Sequence, residues 1–224
     1  MSTSTSPAAL IDHTLLKPDA ATAEIHSLCE EAVECGFASV CIPPLHVPLA
    51  AGDLYGSGVQ VATVIGFPLG YATPAVKAFE AGEAVAHGAA EVDMVISLGA
   101  AREGRLEAVA AEIRQVVETA QVPVKVILEC CYFDDALKRE LAKIAVNCGA
   151  AFVKTSTGFG PGGATVADVR LLADAVGGAA GVKAAGGIRD WQSCRSMLEA
   201  GATRIGTSAG VAIMDQWLTA EGKR

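Results

Sequence analysis

Three charged residues stand where apolar ones are expected. Lys154 ends an apolar approach in Ala151-Phe-Val-Lys-Thr-Ser-Thr-Gly-Phe159, and three hydroxyls, Thr155, Ser156 and Thr157, follow it. Lys183 sits in the same way in Gly181-Val-Lys-Ala-Ala-Gly-Gly-Ile188, and Asp93 lies inside Ala90-Glu-Val-Asp-Met-Val-Ile96. Lysine is rarely fully buried without a partner, and burial disfavours its charged form. A neutral lysine amine is a nucleophile that forms Schiff bases with carbonyl compounds. Two lysines and a carboxylate, each on an apolar strand, predict one shared pocket. Two structural readings compete: a lysine emerging at a strand end to reach solvent, and an Asp93–Lys183 ion pair that only joins two strands.

The elements that must carry these residues alternate. Short β-branched runs are followed by longer helical patterns in eight units, starting near Leu10, Ser39, Val59, Glu91, Val122, Ala151, Gly181 and Ala202. Helices are predicted from about Ala21 to Cys35, Thr73 to Gly88, Glu103 to Ala120, Asp134 to Cys148, Val166 to Val176, Asp190 to Gly201 and Ser208 to Leu218. Thr73 with Pro74, Asp134 and Asp190 read as N-terminal caps, and Gly36 as a C-terminal one. Alternating β and α units imply a parallel sheet under helices, and eight of them predict a (β/α)8 TIM barrel, with a doubly wound open sheet as the alternative. One domain spans 1–224, with 1–7 expected to be a flexible tail. In such barrels the site lies at the C-terminal ends of the strands, which is where the fourth, sixth and seventh strands would place Asp93, Lys154 and Lys183.

Other polar residues fall near the same rim. Asp12 and Thr14 interrupt an apolar segment, either as pocket groups or as the polar face of an alternating strand. Cys41 ends the second strand, facing the pocket or packed as a structural thiol. Thr157 joins them as a pocket candidate. Gly158-Phe-Gly-Pro-Gly-Gly163 matches a dinucleotide fingerprint, but it belongs to the sixth unit, is separated from its strand by polar residues and contains a proline. Gly206-Thr-Ser-Ala-Gly210 matches a nucleophile elbow, but no histidine follows His87, so that chain order fails. Ser208 fits better as a hydroxyl at a helix N-terminus, where N–H groups and the dipole favour an anion. Gly186 and Gly187 fall in the preceding loop, and loops after strands seven and eight often hold phosphate.

Taken together, Asp12-His-Thr-Leu-Leu-Lys-Pro18, Val64-Ile-Gly-Phe-Pro-Leu-Gly70, Glu91-Val-Asp-Met-Val-Ile96, Phe152-Val-Lys-Thr-Ser-Thr-Gly158 and Val182-Lys-Ala-Ala-Gly-Gly-Ile188 resemble the deoxyribose-phosphate aldolases of bacterial type. The resemblance implies a TIM barrel that reversibly cleaves 2-deoxyribose 5-phosphate to acetaldehyde and glyceraldehyde 3-phosphate. It implies Lys154 as the Schiff-base lysine, Lys183 as its electrostatic and proton-transfer partner, and Asp93 as a proton-transfer carboxylate. It carries phosphate contacts onto Gly158, Gly186, Gly187 and Ser208. It further implies no metal or organic cofactor and a homodimer or larger assembly. The chain departs from the family at Cys130-Cys131, where relatives usually have threonine, at Arg102, at Pro43, and in lacking a terminal tyrosine.

Composition narrows the remaining choices. The chain has 224 residues, 51% of them hydrophobic and 19% charged, and a net charge of −8. With a pI near 5.0 and no basic run, nucleic acid is excluded as an expected partner. No apolar run reaches membrane-spanning length, and no signal core precedes the first unit. Seven cysteines with no Cys-x-x-Cys motif predict reduced thiols and a cytoplasmic location. The four histidines lack zinc-site spacing. An anionic substrate would therefore be held by local donors rather than drawn in by overall charge. A phosphosugar-binding barrel without catalysis and a nicotinamide-dependent dehydrogenase are the rival functions.

Overall fold

The computed structural model describes residues 6–222. Eight parallel strands close into a barrel in chain order: β1 (Ile11–Thr14), β2 (Ser39–Ile42), β3 (Gln60–Ile65), β4 (Glu91–Val95), β5 (Val124–Ile127), β6 (Phe152–Lys154), β7 (Gly181–Ala185) and β8 (Arg204–Thr207). Closure is made by β1 against β8, with Ile11 beside Ile205 and His13 beside Thr207. This is the (β/α)8 barrel that the alternation predicts.

The helices are α1 (Thr22–Cys35), α2 (Val47–Asp53), α3 (Pro74–Ala86), α4 (Leu98–Arg102), α5 (Leu106–Ala120), α6 (Asp135–Asn147), α7 (Val166–Val176), α8 (Trp191–Glu199) and α9 (Gly210–Ala220). Their apolar faces pack on the strands' outer residues, so the main core lies between barrel and helices and includes Ile25, Val92, Val126, Leu172, Ile205 and Ile213. None of these helices is long and apolar enough to cross a membrane.

Several boundaries differ from the sequence reading. The helix α2 was not anticipated; it is only seven residues long, opens with a proline in its first turn and includes Gly52, which hides its periodicity. The helix expected from Glu103 to Ala120 is α5, which starts at Leu106; the five-residue α4 before it, capped by Ser97 and separated from α5 by Gly104 at φ +71°, was not anticipated. Thr73 occupies the N-cap of α3, but its hydroxyl makes no capping bond. Asp134 and Asp190 do cap, accepting from Leu137 and Ser193 N–H. Ser208 does not open α9, which starts at Gly210 with Ala209 as its cap. Of the expected tail, residues 1–5 lie outside the described residues, whereas Pro7 is buried and its carbonyl accepts from Leu10 N–H at 2.9 Å, so the chain is anchored from there.

One ion pair outside the barrel braces the rim near Asp93. Lys77 of α3, fully buried, donates to Glu112 of α5 at 2.7 Å and to the Val95 carbonyl at the end of β4 at 2.8 Å. The other oxygen of Glu112 accepts from Ser97 N–H at 2.5 Å. Helices α3 and α5 thus hold the top of β4 through a pair whose charges satisfy backbone groups as well as each other.

Candidate active site

Strand pairing brings the three sequence candidates together. Lys154 stands directly opposite Lys183 in the β6–β7 register, and Asp93 opposite Lys125 in the β4–β5 register. Asp93 Oδ2 accepts from Lys154 Nζ at 2.8 Å and from Lys183 Nζ at 2.7 Å. Its Oδ1 accepts from Lys125 Nζ at 2.9 Å. One carboxylate therefore links three lysines that would otherwise repel one another. Lys154 is not a strand-end lysine reaching for solvent: it is 3% exposed.

The environment separates the three amines. Burial pushes Lys154 below the usual lysine range; the Asp93 carboxylate opposes this shift, and the Lys183 ammonium adds to it. Burial also acts on Lys183, but the carboxylates of Asp12 and Asp93 outweigh it and hold that ammonium above the usual range. Lys183 Nζ reaches Asp12 Oδ2 at 2.5 Å. Burial would raise Asp93, but Lys125, Lys154 and Lys183 outweigh it and keep its carboxyl well below the usual range. Among these groups, the arrangement favours one free amine beside a fixed ammonium and a fixed carboxylate.

Only Lys154 of the three opens on the cavity. That cavity, of about 250 Å³, lies at the C-terminal ends of the strands and is lined by Thr14, Lys154, Thr157, Gly158, Gly186, Gly187 and Ser208, among others. All four glycine and serine positions expected to hold phosphate thus share one cavity with the lysine. Gly158 and Gly186 have φ of +86° and +92°, which L side chains rarely adopt, and a Cβ on Gly163 would come within 2.3 Å of the Gly186 carbonyl oxygen. The loops after β6 and β7 are therefore in backbone contact, which brings main-chain groups close to the cavity. Asp12 and Cys41, in contrast, do not line it. Both are fully buried: Asp12 is held beneath by Lys183 and by Arg204 at 2.6 Å, and Cys41 packs with Ala62 and Val64.

Sequence reasoning missed four charged residues. Lys125 is fully buried and also reaches Glu91 at 2.6 Å, while Arg204 joins Asp12 to Glu91 below it. Lys125 carries the same signal as Lys183, a charge within the apolar run Val124-Lys-Val-Ile127. Glu129, in left-handed backbone at φ +54°, receives both the N–H and the hydroxyl of Thr157 and so fixes the start of the loop that carries Gly158. Of the departures noted above, Cys130 is buried and Cys131 is exposed beside Gly162. Among the described residues, no group of three or more His, Cys, Asp or Glu side chains is placed to hold a metal ion.

Comparison with known proteins shows the family of the chain. A family model described as DeoC/LacD family aldolase matches residues 8–216. The chain belongs to that family. A deoxyribose-phosphate aldolase of Syntrophotalea carbinolica is 56% identical over 213 residues, covering 95% of this chain and 96% of its own. One from Carboxydothermus hydrogenoformans is 54% identical over 99% of both chains. Among solved structures, an aldolase named QR15 superposes with a TM-score of 0.92 at 39% identity, covering 96% of this chain and 97% of its own. The deoxyribose phosphate aldolase of Aeropyrum pernix, described as a unique tetramer, gives 0.89 at 36% identity, covering 95% of this chain and 91% of its own. As a family aldolase, the chain is a carbon–carbon lyase.

Proposed function

We propose that this aldolase cleaves 2-deoxyribose 5-phosphate reversibly to acetaldehyde and glyceraldehyde 3-phosphate through a Schiff base on Lys154. The observation that carries the reading is that Lys154 alone links the buried charge network to a cavity walled by the candidate phosphate positions. The free amine attacks the aldehyde carbon, and loss of water with uptake of one proton, returned on final hydrolysis, leaves an iminium. The iminium draws electrons from the bond between the second and third carbons. That bond breaks as the third-carbon hydroxyl loses its proton, releasing glyceraldehyde 3-phosphate. The remaining enamine is protonated on carbon and hydrolysed, which returns the amine and frees acetaldehyde.

Lys183 and Asp93 take separate parts in this scheme. Lys183 supplies the charge that disfavours a second ammonium at Lys154. Asp93 joins the two nitrogens through one oxygen, so it can pass a proton between them, and it serves as the base for the substrate hydroxyl through a water molecule. Gly158, Gly186, Gly187 and Ser208 hold the phosphate. The homologues' assignments to deoxyribose phosphate support the substrate, and the tetrameric relative supports a homo-oligomer, which sedimentation at several protein concentrations tests. The central experiment is covalent. After incubation with acetaldehyde and reduction with borohydride, peptide mapping is expected to find one reduced adduct, on Lys154. An adduct on Lys183, or none, overturns the assignment.

A further inference from the structure

The charges inside the barrel form one connected set, buried except for Arg204, whose side chain is 15% exposed. Lys125 Nζ lies 2.6 Å from Glu91, 2.9 Å from Asp93 and 3.7 Å from Asp12. Arg204 lies 2.6 Å from Asp12 and 3.2 Å from Glu91, and its guanidinium stacks 5.2 Å over the Phe152 ring. Lys183 bridges Asp12 and Asp93. Without Lys154, three carboxylates face three cations. Lys154 is the fourth cation and contacts only Asp93 among them.

An unbalanced charge is costly where water is excluded. Protonating Lys154 adds such a charge, whereas losing that proton leaves the set neutral. We propose that Lys125 is a positioning residue for Lys154: by completing the balance of three cations against three carboxylates beneath the cavity, it makes Lys154 the amine that gives up its proton. The inference rests on the reading of Lys154 as the Schiff-base lysine. Lys125 is itself sealed from the cavity, so it acts through Asp93 and never touches substrate.

The remaining neighbours do not disturb this count. The groups that act most strongly on Lys154 are Asp93 from β4, Lys183 from β7 and the Cys41 thiol from β2, and Lys17 and Arg189 also line the cavity on which it opens, outside the buried set. Burial pushes Cys41 up, so it remains a neutral thiol. Glu129, beyond β5, is bonded to Thr157 in the loop above. The directions of the amines agree with the balance. Burial opposes the charge of Lys125 as it does that of Lys154, yet the carboxylates of Asp93 and Asp12 carry Lys125 above the usual range, whereas Lys154 lies below it.

The test uses Lys125→Met, Lys125→Arg and Glu91→Gln, each measured for the pH dependence of imine formation with acetaldehyde and mapped by borohydride trapping. Removing a cation with Lys125→Met should move the acid limb to higher pH, and Lys125→Arg should restore it toward the parent. Glu91→Gln removes a carboxylate and should move the limb the opposite way. Each unit of movement changes the rate below the limb about tenfold. A purely structural role would lower the rate in both variants without opposed shifts. If Lys125→Met does not fold, Glu91→Gln decides: a limb that stays or rises overturns the proposal. Absence of a Lys154 adduct in the parent protein overturns the Schiff-base reading, and this inference with it. An adduct with unmoved limbs in the folded variants overturns the balance alone.

Discussion

Gly206 offers a steric test of how tightly Lys183 must be held. It lies on β8 directly beside Ala185 of β7. A Cβ added there would come within 2.9 Å of Lys183 Cε and 3.0 Å of Ala185 Cβ. Carbon contacts are optimal near 3.5–4.0 Å, roughly, so about half an ångström or more must be found. Ala185 has no rotatable chain to yield. The end of Lys183 is pinned by bonds of 2.5 Å to Asp12 and 2.7 Å to Asp93, so moving it lengthens charged contacts in a dry interior. Overpacking of this kind costs about 1–3 kcal/mol. Expressed as stability, that lowers Tm by a few degrees in a domain of this size, at roughly 2–4 °C per kcal/mol. Expressed as a misplaced ammonium, it lowers kcat/KM by about ten- to hundredfold. Gly206→Ala is therefore expected to lower both thermal midpoint and activity. The same substitution made together with Lys183→Met separates the causes, because a methionine end is not tethered. The cost in Tm should shrink in that background, a non-additivity expected of touching residues. If Gly206→Ala leaves Tm and kcat/KM unchanged, or costs as much in the Lys183→Met background as in the parent, the reasoning from a pinned lysine is wrong.

Other perturbations give separate readouts. Lys183→Met removes an ammonium within about 5.5 Å of Lys154, the two bonds to Asp93 Oδ2 laid end to end; at an effective dielectric of about 20 this repulsion is about 3 kcal/mol, so the acid limb of imine formation should move to higher pH, and an unmoved limb refutes the electrostatic role. Because Lys154 lies below the usual lysine range, the parent's imine formation should persist below that range and fall only as acid protonates the amine, a sequence read from rate against pH. Ser208→Asp places a negative charge on the cavity wall; kcat/KM for deoxyribose 5-phosphate should fall on the order of a hundredfold, or about 3 kcal/mol, while unphosphorylated deoxyribose loses little, and equal losses would remove Ser208 from the phosphate site. Lys77→Met leaves Glu112 buried and unpaired, and chemical denaturation should report a loss of about 3–5 kcal/mol; a loss below 1 kcal/mol, roughly, would show that the pair does not brace β4.

Much of this protein is legible along the chain. The alternation of short β-branched runs with helical periods specifies a closed βα barrel because each unit can bury its apolar face only against the next. Lys154, Lys183 and Asp93 announce themselves because a charge in an apolar strand needs a local reason. The glycines after β6 and β7 do so because positive φ leaves few other residues possible. Short helices and exact starts are less legible: α2 lacks enough turns for periodicity to register, and α9 begins two residues after Ser208. Beyond the grouping of Asp93 with Lys154 and Lys183, the partners of the charges were decided by tertiary structure. Asp12 is 171 residues from Lys183, and they meet only because β8 closes on β1. Glu91 and Arg204 look like ordinary charges at the starts of their strands until strand register sets them beneath the cavity, and Lys125, though it lies within an apolar run, shows its partners only there. Electrostatic energy depends on distance and exclusion of water, not on separation along the chain, so which amine becomes free is a property of the closed barrel.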